Sequence, residues 1–161
     1  MIVGKSEIIA TLRKHPLYRA LRVDKIIYAA LESTLEIYRR ESFAEIPVLR
    51  MLALTKAEIN EKTKDFSAKL GERLGNQSNL KFESVGGNSV IGGGSAPDVQ
   101  PETMLLVLSH DSLSAAQIEE RLRFSVPPII ARIIDDKVAI DLRTVFDDEQ
   151  DSILNALIAI N

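Results

Sequence analysis

The stretch Thr103-Met104-Leu105-Leu106-Val107-Leu108-Ser109 constrains the fold more than any other. It is apolar along its middle, bounded by polar residues and far shorter than the roughly 18 residues of a membrane span, so it reads as a buried strand. Such a strand needs partners, and its surroundings supply them. Leu80 to Val85 reads as a second strand. Ile129–Ile134 and Val138–Leu142 flank Asp135-Asp136-Lys137, a hairpin signal. Helix starts are also legible. Thr55 with Glu58 and Ser114 with Gln117 fit capping boxes, in which each side chain satisfies an orphan N–H of the other's backbone. The first helix carries Ile59, Phe66, Leu70 and Leu74 inward and stops at Gly75. The second carries Ile118 and Leu122 and ends before Pro127-Pro128. Asp147 with Gln150 opens a last helix with Ile153, Leu154, Leu157 and Ile158 on its buried side. Residues 76–161 therefore predict strand, strand, helix, strand, strand, helix: an α+β layer, mostly antiparallel, with helices on one face.

The front of the chain differs. Ile2-Val3-Gly4 reads as the tail of a strand, and Ser6 with Glu7 opens a short helix to about Lys14, ended by His15-Pro16. Asp24 caps a longer helix to about Arg40, whose apolar stripe is Ile27, Leu31, Leu35 and Tyr38. Ile46-Pro47 breaks the chain and allows a new helical start. Residues 1–55 thus read as helices without a sheet of their own, and residues 56–161 as the α+β domain. Asn76-Gln77-Ser78-Asn79 is a polar turn, and Gly86 to Pro97 a bent, glycine-rich loop.

The chain has no cysteine, which excludes disulfides, thiol nucleophiles and thiolate metal sites. Lys5, Glu7, Arg13 and Lys14 interrupt any signal-peptide core, so cytoplasm is the expected compartment, with no membrane partner. The net charge of -3 conceals an asymmetry: nine Lys/Arg against six Asp/Glu over residues 1–50, eleven against seventeen over the remainder. That balance permits an anionic ligand near the front without by itself indicating nucleic acid.

Most motifs have a bland reading. Gly4-Lys5-Ser6 matches only the back half of a phosphate-binding loop and is better read as a turn with a cap. Gly92-Gly93-Gly94-Ser95 lacks dinucleotide spacing and reads as a turn between strands. His15 and His110, alone and unpaired, do not make a metal site. Asp147-Asp148-Glu149 is explained by its place at a helix start. No Ser/His/Asp arrangement and no carboxylate pair is present, so the chain shows no catalytic machinery of its own. Arg19 and Arg22 are different. Three apart on a helix they share a face, and two guanidinium forks can converge on one phosphate, sulfur oxyanion or carboxylate. The alternative is two solvated arginines.

The run Lys14-His15-Pro16-Leu17-Tyr18-Arg19-Ala20-Leu21-Arg22-Val23-Asp24-Lys25 resembles a signature of the bacterial selenocysteine synthase family (L-seryl-tRNA(Sec) selenium transferase). Ile46-Pro47-Val48-Leu49-Arg50-Met51-Leu52, Val90 to Pro97, Pro127 to Ile133 and Asp141 to Val145 resemble the same family in the same order. The resemblance implies a pyridoxal-phosphate (PLP) enzyme of the aspartate-aminotransferase fold type (fold type I), which dehydrates serine esterified to tRNA(Sec) and adds selenium from selenophosphate. It implies that residues 1–55 are the end of a large cofactor domain with connecting helices, and residues 56–161 the C-terminal small domain. It places the Schiff-base lysine upstream of Ile2-Val3-Gly4. Lys5 is not that lysine, because it lacks the aspartate before it and the glycine-rich turn after it. The chain alone is then expected to be inactive and to hold no PLP covalently. By resemblance Arg19 and Arg22 bind the anionic selenium donor, while Arg132 and Arg143 receive no role. The family forms homo-oligomers. Two other readings stay open: a free-standing oligomerisation or interaction module descended from such an enzyme, and a piece of another fold-type I enzyme.

Overall fold

A computed structural model describes residues 3–75, 77–92 and 98–161. The chain divides into two compact units, Met1–Pro47 and Val48–Asn161.

The first unit is helical: α1 (Ser6–Lys14), α2 (Leu17–Ala20), α3 (Lys25–Arg39) and a 3-10 turn at Phe43–Glu45. Pro16 divides α1 from α2, and His15 finishes the break, its Nδ1 accepting from the Leu17 N–H at 3.3 Å. Asp24 caps α3 as its sequence suggests, Oδ1 accepting from the Ile27 N–H at 3.0 Å. The helix ends in a Schellman arrangement. Ser42 N–H donates to the Ile37 carbonyl and Glu41 N–H to that of Tyr38, both at 3.1 Å, around a left-handed Glu41 with φ 57°. No residue of α1, α2 or α3 is buried. The stripe Ile27, Leu31, Leu35 and Tyr38 is present and exposed. Val3 and Gly4 form no strand, and Ile2 lies outside the described residues.

The second unit contains the core. Its elements are α4 (Pro47–Ala53, crossing the boundary by one residue), α5 (Lys56–Leu74), β1 (Leu80–Asn88), β2 (Glu102–His110), α6 (Ala115–Arg123), β3 (Arg132–Ile134), β4 (Lys137–Asp141) and α7 (Gln150–Ile160). The sheet is antiparallel throughout, in the order β1-β2-β4-β3. Helix α5 lies over β1 and β2, α6 over β3 and β4, and α7 touches both helices. Leu106 and Leu108 of β2 and Val138 and Ile140 of β4 meet Phe66, Leu70, Ile118, Leu122, Leu154 and Leu157 from these helices. Leu105 is buried on the opposite face, which is why β2 reads as a continuous apolar run rather than an alternating one.

Both capping boxes form. Thr55 N–H donates to Glu58 Oε2 at 2.8 Å and Glu58 N–H to Thr55 Oγ1 at 3.3 Å. Gly75, with φ 71°, ends α5. The hairpin turn is Asp135-Asp136, both with positive φ as a two-residue turn requires. Three boundaries shift from expectation. Strand β1 runs on to Asn88, past the expected end at Val85, because Leu105 Cδ1 lies only 2.8 Å from where a Cβ on Gly87 would be; the glycine makes room for that leucine instead of opening a loop. Strand β3 starts at Arg132, since Ile129 N–H donates instead to the Leu122 carbonyl at the end of α6. Residues Asp147–Glu149 form a 3-10 turn before α7, and Ile160 is buried where Ile158 is only half-buried.

One buried polar knot joins the sheet to α4. Arg143, 4% exposed, follows β4. Its Nη1 donates to the Met51 and Leu54 carbonyls at 2.9 and 2.7 Å, at the C-terminal end of α4. Its Nη2 donates to the Glu102 carbonyl at 2.7 Å and its Nε to Ser89 Oγ at 2.8 Å. The Ser89 hydroxyl in turn donates a hydrogen bond to Asp141 Oδ2 at 2.6 Å, so a single hydroxyl bridges cation and carboxylate. Asp141 Oδ1 accepts from Thr103 Oγ1 at 2.9 Å and from the Arg143 N–H at 3.0 Å. Ser89 N–H donates to the Pro101 carbonyl at 2.8 Å, closing the neck of the loop between β1 and β2.

Two stability outcomes follow. Thr55→Ala removes one arm of a capping box and should cost about 1 kcal/mol. Arg143→Leu leaves three buried-side carbonyls without their donor and Asp141 with only Arg132, 4.0 Å away, and should cost about 3–5 kcal/mol. Urea unfolding of the chain checks both, and a loss for Arg143→Leu no greater than for Thr55→Ala would contradict the knot.

Candidate functional site

The arginine pair lies in the first unit. Arg19 sits in α2, whose single turn closes with the Leu21 N–H donating to the Leu17 carbonyl at 3.0 Å. Arg22 lies beyond that turn, in the irregular stretch before the Asp24 cap. The helix stops at Ala20 because Pro16 fixes its start and Asp24 must be extended, φ -79° and ψ 177°, to cap α3. The two arginines are therefore not neighbours on one helical face, contrary to the spacing argument. Both are exposed, and neither has a carboxylate partner among the described residues. Their donors remain uncommitted.

The second unit carries two clefts. The larger, about 720 Å³, is lined by Arg50, Met51, Lys62, Arg143, Phe146 and Asp147. Most of its charges are already engaged. The Arg50 guanidinium stands 4.9 Å from the Phe146 ring centroid. Lys62 Nζ donates to the Val145 carbonyl at 2.5 Å and pairs with Asp147 at 3.1 Å. That ammonium holds the Asp147 carboxyl below the usual carboxylate range. The smaller cleft, about 270 Å³, brings Ile91, Ile130 and Leu52 against Arg132 and Asp141. Arg132 reaches the Asn88 carbonyl at 3.4 Å and lies 4.0 Å from Asp141 Oδ2.

Arg132 at 4.0 Å and Arg143 through the Ser89 hydroxyl thus both address the Asp141 carboxylate. Ser89, Thr103 and Asp141 complete that cluster, and neither Ser89 nor Thr103 stands out in the sequence. The Arg-x-Asp spacing reversed as Asp141-Leu142-Arg143 was the one signal available: an acid and a base flanking a buried leucine at a strand end.

The remaining motifs resolve into local structure. Gly4 and Lys5 precede α1 without a strand before them among the described residues. Gly92 has φ 54°; Gly93, Gly94 and Ser95 lie outside the described residues, as does Asn76 of the polar turn. His110 Nδ1 accepts from the Ser112 and Leu113 N–H groups at 3.1 and 3.2 Å, so it closes a turn. Glu149 Oε2 accepts from the Phe146 N–H at 2.8 Å, which places the acidic run at a helix start. Among the described residues no cluster of His, Asp and Glu has the makings of a metal site, and no helix is long and apolar enough to cross a membrane.

Against this geometry, residues 1–146 match the model of a family described as L-seryl-tRNA selenium transferase. The transferase of that name from Geobacter sulfurreducens is 38% identical over 159 residues, covering 98% of this chain and 34% of its own length. That from Geotalea daltonii is 42% identical over the same shares, and that from Aquifex aeolicus 36% identical over 157 residues. The chain spans about a third of the length of the curated relatives it matches. It belongs to the L-seryl-tRNA selenium transferase family.

Proposed function

We propose that this chain is the C-terminal portion of a selenocysteine synthase, the PLP-dependent enzyme that converts seryl-tRNA(Sec) to selenocysteinyl-tRNA(Sec) with selenophosphate as donor. The observation that carries the reading is the match of 98% of the chain to transferases so named, at 36–42% identity. In this reading residues 1–55 end the large domain and residues 56–161 are the small domain of a fold-type I enzyme. The four-stranded antiparallel sheet with its helices is consistent with the latter. Arg19 and Arg22 hold the selenium oxyanion through charge-assisted hydrogen bonds, and their uncommitted, exposed guanidinium groups support that role.

The lysines of this chain do not fit covalent PLP capture, which needs a partly buried amine free to form the imine. Every lysine except Lys62 is exposed, and Lys62 is held by the Val145 carbonyl and Asp147. In this reading the PLP-binding lysine belongs to another part of the parent enzyme, and this chain contributes the donor site. The exposed stripe of α3 supports a second role in assembly, against the rest of the parent or in a homo-oligomer.

Two measurements test the reading. Mixed with PLP and reduced with borohydride, the chain alone should show no adduct at a single defined lysine by mass spectrometry; one stoichiometric adduct overturns the assignment of that lysine elsewhere. Grafted in place of the matching third of the Geobacter sulfurreducens transferase, the chain should support selenium transfer. Arg19→Ala with Arg22→Ala should then lower kcat/KM for selenophosphate about 100-fold, the loss of roughly 3 kcal/mol of charge-assisted hydrogen bonding. Unchanged use of the donor would rule the pair out.

A further inference from the structure

The segment from Arg13 to Lys25 holds five cations, Arg13, Lys14, Arg19, Arg22 and Lys25, against one carboxylate, Asp24. That carboxylate already caps α3. All five cations are exposed, and none has an ion-pair partner among the described residues. Of the fifteen cations elsewhere, ten are matched by a carboxylate. Arg39 and Arg40 pair with Glu36 and Glu45, and Lys56, Lys62, Lys64, Arg73, Lys81, Arg123, Arg132 and Lys137 each have a carboxylate within reach. Residues 1–25 carry six Lys/Arg against two Asp/Glu in a chain of net charge -3. Like charges this near in sequence repel one another, and a polyanion relieves the repulsion. Tyr18 and Tyr28, 51% and 53% exposed, stand within and just after the segment. Cations interleaved with exposed aromatic rings are what single-stranded nucleic acid uses: phosphates meet the charges and bases stack on the rings.

We propose that Arg13, Lys14 and Lys25, with Tyr18, form a surface for the phosphate backbone of the single-stranded acceptor end of a tRNA. The proposal rests on the function proposed above. An aminoacyl group is an ester on the terminal ribose, so the serine of a seryl-tRNA reaches a donor anion at Arg19 and Arg22 only if the last nucleotides pass beside those arginines. Arg13 and Lys14 on one side and Lys25 on the other are the cations next to them in the chain. They are distinct from the pair assigned to the small oxyanion.

The test uses the graft described above, with Arg13→Gln, Lys14→Gln and Lys25→Gln combined. The KM for seryl-tRNA should rise about tenfold or more while the KM for selenophosphate stays as it was. Binding of an RNA minihelix ending in single-stranded CCA, followed by fluorescence anisotropy, should weaken roughly 20-fold between 50 and 200 mM salt. The log–log slope should fall by about 2 in the triple variant, as expected when three phosphate contacts are lost. A charge-preserving variant, Arg13→Lys with Lys14→Arg and Lys25→Arg, should keep tight RNA binding, which separates lost charge from lost folding. An unchanged KM for seryl-tRNA and an unchanged salt slope in the triple variant overturn the proposal. So does binding of the chain to phosphatidylserine vesicles with none to the minihelix. If Arg19→Ala with Arg22→Ala leaves donor use intact while the triple variant still raises the KM for seryl-tRNA, the oxyanion assignment fails and the RNA surface stands.

Discussion

The second unit depends on a buried cation solved with backbone oxygen. A guanidinium out of water needs acceptors for its fixed fork of donors, and Arg143 finds them in the end of α4, the first residue of β2 and the Ser89 hydroxyl. The compensating charge, Asp141, is one hydroxyl away rather than in direct contact. This geometry ties together pieces distant in sequence. The hydrophobic layer between helices and sheet holds the other face, and the knot determines where α4 and the loop neck attach. Replacing it with apolar residues would have to redesign four segments at once, because the acceptors are mostly main chain and cannot be mutated away.

The fold was legible where local chemistry and burial agree. Thr55 with Glu58 and Ser114 with Gln117 announced helices because a capping box is complete within four residues. The run around Leu106 announced a strand because both of its faces are covered. The left-handed hairpin turn at Asp135-Asp136 was marked by its residue types and by strands on either side. Failures occurred where the deciding contact is distant. Gly87 looks like a loop residue until Leu105 is seen lying over it from the neighbouring strand. Glu41 gives no sign of the left-handed conformation it adopts to end α3, since no glycine follows Arg40. Arg143 looks like any arginine after a strand until residues 41 to 92 positions away supply its acceptors.

The candidate site shows the same division. Arg19 and Arg22 were conspicuous as residue types, and their chemistry as uncommitted donors is retained. Their shared helical face was not, because a proline and a capping aspartate leave room for only one turn between them. The first unit as a whole has amphipathic helices without a buried residue. Helices of this length gain little stability from propensity alone, so their apolar and basic faces are surfaces whose counterparts come from outside the unit.

The closed neck between β1 and β2 has a consequence for the sheet itself. Ser89 and Pro101 are bound to each other, and Ser89 is further fixed by Asp141 and Arg143. Once the two ends of a loop are fastened independently of what lies between, the entropic cost of lengthening it grows only logarithmically. The register of β1 against β2 is thereby set at the neck, by Ser89 and Pro101, and not by the residues beyond it.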